Sequence, residues 1–562
     1  MKRILGTTAY ILFLIIFQQA FAQISDGGFP ASFAMKSDSR IVKSITLQPP
    51  DMIQVNNEDS KNDSLSLARR FSIMLPVNID FIKSGTWSKL DNGSRICRLK
   101  IQAEGALANN LYYNNFFLPE GAKLFLYDES KKQVKGAFTN FNNPKSGYFA
   151  TELMAGETVV LELNIPADIK TDPILHISEF GYAYRNIPHY DEINGFGGSD
   201  WCEININCSP EGDNWQSQKS GVVRIHVEVS GAGFWCSGSL INNVRYDATP
   251  YVLTADHCAF QLNQYASDTD LDQWMFYFNY ESATCDNPEL EPQLFSMVGA
   301  SKVAQGGKRG QEGSDFYLVL LNNQVPSGYN PYFPGWSRIN ETSDHGVTIH
   351  HPEGDIKKIS TYSTPIESSG WYGNGLQSHW KVIWAETENN WAVTESGSSG
   401  SPLFSSEGKL IGTLTGGLAA CDPSGSLGPD KPDYYGKFSY HWQSNGSVDT
   451  AQLMPWLDPD NTGVYSIGGF TLDVVEHKIV NNLDINIYPN PANEYFFINF
   501  TNFESNTFHV LIYDIVGKLI KEIYSQHQGS KFKINICDIP KGVCFLTIKY
   551  DHKSIVKKLI IQ

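Results

Sequence analysis

Six of the nine cysteines fall between Cys202 and Cys421: Cys202, Cys208, Cys236, Cys258, Cys285 and Cys421. Cys97 stands alone upstream, and Cys537 and Cys544 lie near the end. Around the cluster, short apolar runs alternate with Gly, Asn and Pro, so the chain has one domain that disulfides can staple in an oxidising compartment. Six cysteines can pair in many ways, and spacing alone selects none of them. No CxxC pair occurs among them, which argues against a structural zinc. The N-terminus supplies the compartment. Met1-Lys2-Arg3 is basic, Tyr10 to Phe17 is apolar, and Ala20-Phe21-Ala22 is a small-residue cleavage site, the layout of a secretory signal peptide. A membrane anchor is the alternative, but the apolar segment is short and no stop-transfer pattern follows.

At 562 residues the chain has room for three or four domains of about 150 residues. Aromatics at 13%, with 47 Gly and 27 Pro, favour strands and turns over long helices. The net charge of −17 excludes a nucleic-acid footprint, which needs a basic stripe. Beyond the N-terminus no apolar run reaches the ~18 residues of a membrane span. The expected class is all-β. Residues 1–22 form the signal and 23–196 a β-rich region with strands around Cys97 to Ile101, Lys123 to Tyr127 and Thr158 to Leu163. Within it, Asp51 to Leu67 is polar and reads as a loop. Residues 197–470 carry the cysteine cluster, 471–481 a linker, and 482–562 a short all-β module.

The chemistry lies in the middle domain. Thr254-Ala255-Asp256-His257-Cys258 follows an apolar strand, and Asp315 precedes another, Phe316 to Leu321. Gly397-Ser398-Ser399-Gly400-Ser401-Pro402 is a turn of small residues. His, Asp and Ser in that order is one of the known orders of a hydrolytic triad. A serine hydroxyl needs an adjacent base, an imidazole can take and return its proton, and a buried carboxylate fixes the imidazole's tautomer. Ser399 is the expected nucleophile, His257 the base and Asp315 its partner, with the N–H groups of Gly397 and Ser399 aimed at the developing oxyanion. His350-His351-Pro352 looks like a metal pair, but adjacent strand residues point to opposite faces, so no metal and no cofactor are expected.

These stretches resemble a known family. WCEININCSPEG from Trp201, LTADHC, SDF at Ser314, IHHP at Ile349, VTESGSSGSP and DYYGKF are similar to signatures of the bacterial lysyl endopeptidases within the trypsin-like, chymotrypsin-fold proteases. The resemblance implies two packed six-stranded β-barrels with the active site between them, and the disulfides Cys202–Cys421, Cys208–Cys285 and Cys236–Cys258. The trypsin-type pocket acid would fall at Val393. The resemblance instead places the specificity carboxylate at Asp433, Trp371 beside the active-site histidine, and Thr415 where the family has a further histidine. The implied partners are proteins or peptides with Lys, and Arg as a further candidate, before the scissile bond.

By the same comparison 23–196 resembles a pro-segment with the mature enzyme beginning near Gly197, although the nearest upstream basic residue is Arg185. A retained binding domain is the rival reading. The C-terminal module resembles the sorting domain of type IX secretion, through Ile487-Tyr488-Pro489-Asn490-Pro491-Ala492, Tyr513 to Lys518, Pro540 to Val543 and Lys557 to Ile561. That implies export through the periplasm to the surface or medium by the type IX machinery. A carbohydrate-binding or adhesive sandwich is its alternative. For the whole protein, the rivals are a non-catalytic binding module on a protease scaffold and a protease of different primary specificity.

Overall fold

The computed structural model describes residues 25, 27–35, 41–64, 69–185, 198–289, 291–472, 484–501, 507–513, 519–526, 531–550 and 553–561. The expected signal peptide, the stretch 186–197 and nearly all of the expected linker lie outside the described residues. The chain forms two compact units, Met1–Leu472 and Asp473–Gln562. No described helix is long and apolar enough to cross a membrane.

Two barrels form the middle of the first unit. In the first, the strand order is Phe295–Val298, Met275–Phe278, Val222–Val229, Ala232–Leu240, Tyr251–Thr254, Phe316–Leu321 and Ala300–Gly306. The two outermost are consecutive in the chain and meet at Gly299, whose φ of +86° allows the bend that closes the sheet. In the second, the order is Lys358–Tyr362, Gly346–His350, Pro402–Ser405, Leu410–Gly417, Asp433–Lys437, His379–Val382 and Glu367–Ser369. Again the two ends are successive strands. Counting each bent pair as one strand, both barrels have six, the double-barrel fold implied by the resemblance. Phe316, Trp336, Phe438 and Trp442 fill the seam between them, while Trp380, Trp384, Leu403 and Tyr435 fill the second barrel. The structure makes all three implied disulfides, Cys202–Cys421, Cys208–Cys285 and Cys236–Cys258.

The N-terminal region is two β-sheets over an aliphatic core that includes Leu99, Ile101, Leu111, Leu126 and Leu161. The expected strands are Arg95–Ala103, Lys123–Tyr127 and Thr158–Ile165. One expectation fails. Asp51 to Leu67 is not a loop over its described part, because Met52–Ser64 is an α-helix. Asp51 accepts the N–H groups of Ile53 and Gln54 and so starts it. Its buried side is Val55 and Asp59, four residues apart, with Asp59 against Arg70 at 2.9 Å. A helix anchored by a buried ion pair has no apolar stripe for the sequence to display.

The C-terminal unit has two sheets, Asp484–Tyr488, Tyr495–Thr501 and Lys531–Asn535 in one, and Thr507–Tyr513, Leu519–Gln526, Gly542–Tyr550 and Lys553–Ile561 in the other. Phe496, Ile498 and Ile534 of the first meet Val510, Leu546 and Leu559 of the second in one core. The opening motif is bonded to the closing strand: Asn490 Oδ1 accepts from the N–H of Ile560, and the Ala492 N–H donates to Ile560 O. Asp514 to Lys518 of the mid-way motif lie outside the described residues.

Candidate active site

The candidate base stands on a short helical turn, Asp256–Ala259, after the Tyr251–Thr254 strand. The Cys236–Cys258 bridge ties that turn to the Ala232–Leu240 strand. His257 donates twice to one carboxylate: Nδ1–H to Asp315 Oδ2 at 2.8 Å and its backbone N–H to Oδ1 at 3.0 Å. This pairing fixes the imidazole plane and leaves Nε2 as the nitrogen for proton exchange. Burial opposes charge on both groups, but their mutual attraction and hydrogen bonds outweigh it. The His257 pKa lies above the ordinary histidine value and that of Asp315 below the ordinary carboxylate value.

Asp315 is fully buried and has a left-handed backbone, φ +58°. Such a conformation in a non-glycine residue is held by its surroundings. The preceding Ser314 is gripped by the short Phe438–Gln443 helix, which follows the Asp433–Lys437 strand, and by Asn445 just beyond it. Its N–H donates to Asn445 Oδ1 at 3.0 Å, Asn445 Nδ2 donates to its hydroxyl, and that hydroxyl donates to His441 Nδ1 at 2.7 Å. His441 Nε2–H in turn meets Thr413 Oγ1 at 3.0 Å. Two residues on, Thr415 Oγ1 lies 3.1 Å from His379 Nε2. Trp371 packs on the His379 ring, centroids 6.0 Å apart. Sequence reasoning singled out Trp371 and Thr415 but missed His379 and His441, which carry no local signature.

The Ser399 turn is held almost wholly by other segments. Gly397 and Gly400 both have positive φ, and a Cβ on Gly400 would lie 2.1 Å from Thr254 Oγ1, so neither position takes a side chain readily. Ser237 Oγ donates to Gly397 O, and the Ser237 N–H donates to Ser399 O at 2.8 Å. His350 Nδ1 holds the neighbouring Ser398 hydroxyl at 2.7 Å, with Ser360 on its other nitrogen. His351 Nδ1 instead faces Asp355 O, so the two histidines point apart. Ser399 itself is half-exposed.

Asp433 lies elsewhere, on the Asp433–Lys437 strand, fully buried. Trp384 Nε1–H and Thr394 Oγ–H both donate to Oδ2 at 2.7 Å, and the Ala419 N–H donates to Oδ1 at 3.3 Å. Burial pushes its pKa up to about 6, against the pull of those donors. Val393, at the trypsin-type position, is buried in the second barrel's core.

Residues 196–436 match the family described as lysyl endopeptidase, C-terminal domain, and residues 486–562 match the secretion system C-terminal sorting domain. The lysyl endopeptidase of Pseudomonas aeruginosa is 25% identical over 370 residues, covering 63% of this chain and 75% of that protein. Among solved structures, a Glu endopeptidase in complex with MPD aligns at 16% identity over 42% of this chain and 87% of its own, TM-score 0.26. A serine endoprotease from Yersinia pestis aligns at 12% identity over 63% and 97%, also TM-score 0.26. With the sorting domain comes export by type IX secretion to the cell surface or beyond. The chain is a lysyl endopeptidase-like serine endopeptidase with a C-terminal type IX sorting domain.

Proposed function

We propose that this endopeptidase cuts after Lys, with Arg as a weaker alternative, through an acyl-enzyme. His257 Nε2 accepts the Ser399 hydroxyl proton as Oγ attacks the scissile carbonyl. The N–H groups of Gly397 and Ser399 receive the oxyanion, and Asp315 stabilises the imidazolium. The imidazolium returns its proton to the leaving amine, and water then releases the acyl group by the same route. The cation preference rests on one observation, a buried carboxylate with neutral donors around it at Asp433. A substrate ammonium placed there completes a charge pair that the chain leaves incomplete, and a neutral side chain leaves that charge unmatched. The matching activity of the Pseudomonas aeruginosa relative, as its name gives it, supports the same reading. Residues 23–196 act as a pro-region, with cleavage before the catalytic domain.

Sequencing the peptides released from a denatured protein mixture tests the preference directly. Cleavage sites dominated by Lys support it, and sites dominated by acidic or apolar residues overturn it. Ser399→Ala is expected to fold and to lose roughly 10⁶-fold in kcat, keeping only what binding and the oxyanion donors supply. Turnover within a few-fold of the parent removes Ser399 from the mechanism.

A further inference from the structure

The first barrel does not end at the protease. Its sheet runs on from Ala232–Leu240 into the N-terminal Arg70–Asp80 strand, then Ile174–Ala183 and Ala108–Phe117. The join has a defined antiparallel register, Ala232↔Ile73, Gly233↔Ser72 and Phe234↔Arg70, and the Met74 N–H donates to Gly231 O at 2.9 Å. Gly233 makes this approach possible: a Cβ there would lie 2.2 Å from Ser72 Oγ. The far end of the same protease strand pairs with Tyr251–Thr254, so removing the N-terminal strand opens half of one edge to solvent.

Side chains seal the join. Phe71 stacks on Trp235, centroids 4.5 Å apart and planes within 8°. Trp235, Met275, Tyr277, Tyr280 and Ile356 of the protease belong to the same buried cluster as the N-terminal core. Gln273 Nε2 donates to the carbonyls of Tyr113 and Phe149 across the boundary. Arg69 pairs with Glu353 at 2.8 Å, and Glu353 gives its N–H to Ser396 O, next to Gly397. Three residues past Phe234, the same strand carries Ser237, which holds Gly397 and Ser399. All three disulfides lie within 202–421, and Cys97, the N-terminal region's cysteine, is unbridged. After a cut between the regions, no disulfide links them, and among the described residues this non-covalent surface joins them.

We propose that the N-terminal region stays bound after cleavage as a strand-donating companion of the catalytic domain, and that the protein works as a two-chain, non-covalent complex. Its partner surface is the edge of Ala232–Leu240 that the Arg70–Asp80 strand covers, with the aromatic patch around Trp235. The inference does not depend on which residue the enzyme cuts after.

The test uses the full-length Ser399→Ala protein with a recognition sequence for an unrelated protease placed within 186–196. After complete cutting and dilution to nanomolar concentration, both chains should elute as one particle of unchanged mass. Separation into an N-terminal fragment and a folded catalytic fragment overturns the proposal. Gln273→Ala, which removes two cross-boundary hydrogen bonds, should raise the dissociation concentration roughly tenfold. Phe71→Ala should raise it roughly 100-fold or more, provided its circular dichroism before cutting matches the parent. If neither substitution moves the dissociation concentration, the joint lies elsewhere and the proposal fails.

Discussion

Asp315 and Asp433 are the same side chain, each fully buried, yet they titrate in opposite directions. Burial penalises the charge of both. Asp315 meets His257, which donates two hydrogen bonds and becomes a counter-ion when protonated. Asp433 meets an indole, a hydroxyl and an amide, all neutral. The first carboxylate finds its cation inside the protein, and in the proposed mechanism it serves every turnover. The second meets no cation among the described residues, and the proposed specificity leaves that place to the substrate. On that reading, the location of the counter-charge separates catalysis from specificity.

Asp315→Asn should break the first half of the comparison with the largest effect. Without the carboxylate, His257 loses the partner that sets its tautomer, and kcat should fall by roughly 10⁴-fold whatever residue precedes the scissile bond. Steady-state rates on a Lys and an apolar peptide check this. A loss confined to one substrate class would place Asp315 in the pocket instead.

Asp433→Asn should act the other way. It keeps the shape and removes the charge, so cleavage after Lys should lose roughly 100-fold or more in kcat/KM, with little change after an apolar residue. Equal losses on both substrates would mean that Asp433 supports the barrel and not the cation.

The smallest effect is a difference in pH profile. His257 must be neutral to act as base, and its raised pKa places the acid limb above the ordinary histidine range. Asp433 must be ionised to pair with an ammonium, and with a pKa of about 6 it loses its charge as pH falls through that value. On a Lys substrate, kcat/KM should therefore fall with protonation of two groups, and on an apolar substrate with one. Log kcat/KM against pH should approach a slope of about 2 in the first case and about 1 in the second. A common slope would show that Asp433 is not titrating against the substrate.

The proposed triad is legible in the sequence because each member sits in a local context of its own: His257 after an apolar strand, Asp315 before another, Ser399 in a glycine-bracketed turn. The shell around them is not legible in that way. Ser237 reaches Gly397 across 160 positions and His441 reaches Ser314 across 127. The Met52–Ser64 helix escaped for a related reason, since a buried Asp59–Arg70 pair leaves a polar pattern behind.

By itself, the sequence determined what depends on near neighbours in the chain: the β character, the secretory leader as an expectation, and the order of reactive residues. Resemblance added the disulfide pairing and pointed to Asp433. Only the tertiary structure decided that Asp433 is ringed by Trp384, Thr394 and Ala419, that Ser314, next to Asp315, is clamped by His441 and Asn445, and that the N-terminal strand completes the first barrel's edge. Burial, and with it the cost of a charge, is set by which distant segments close over a group, and local sequence pattern does not encode that.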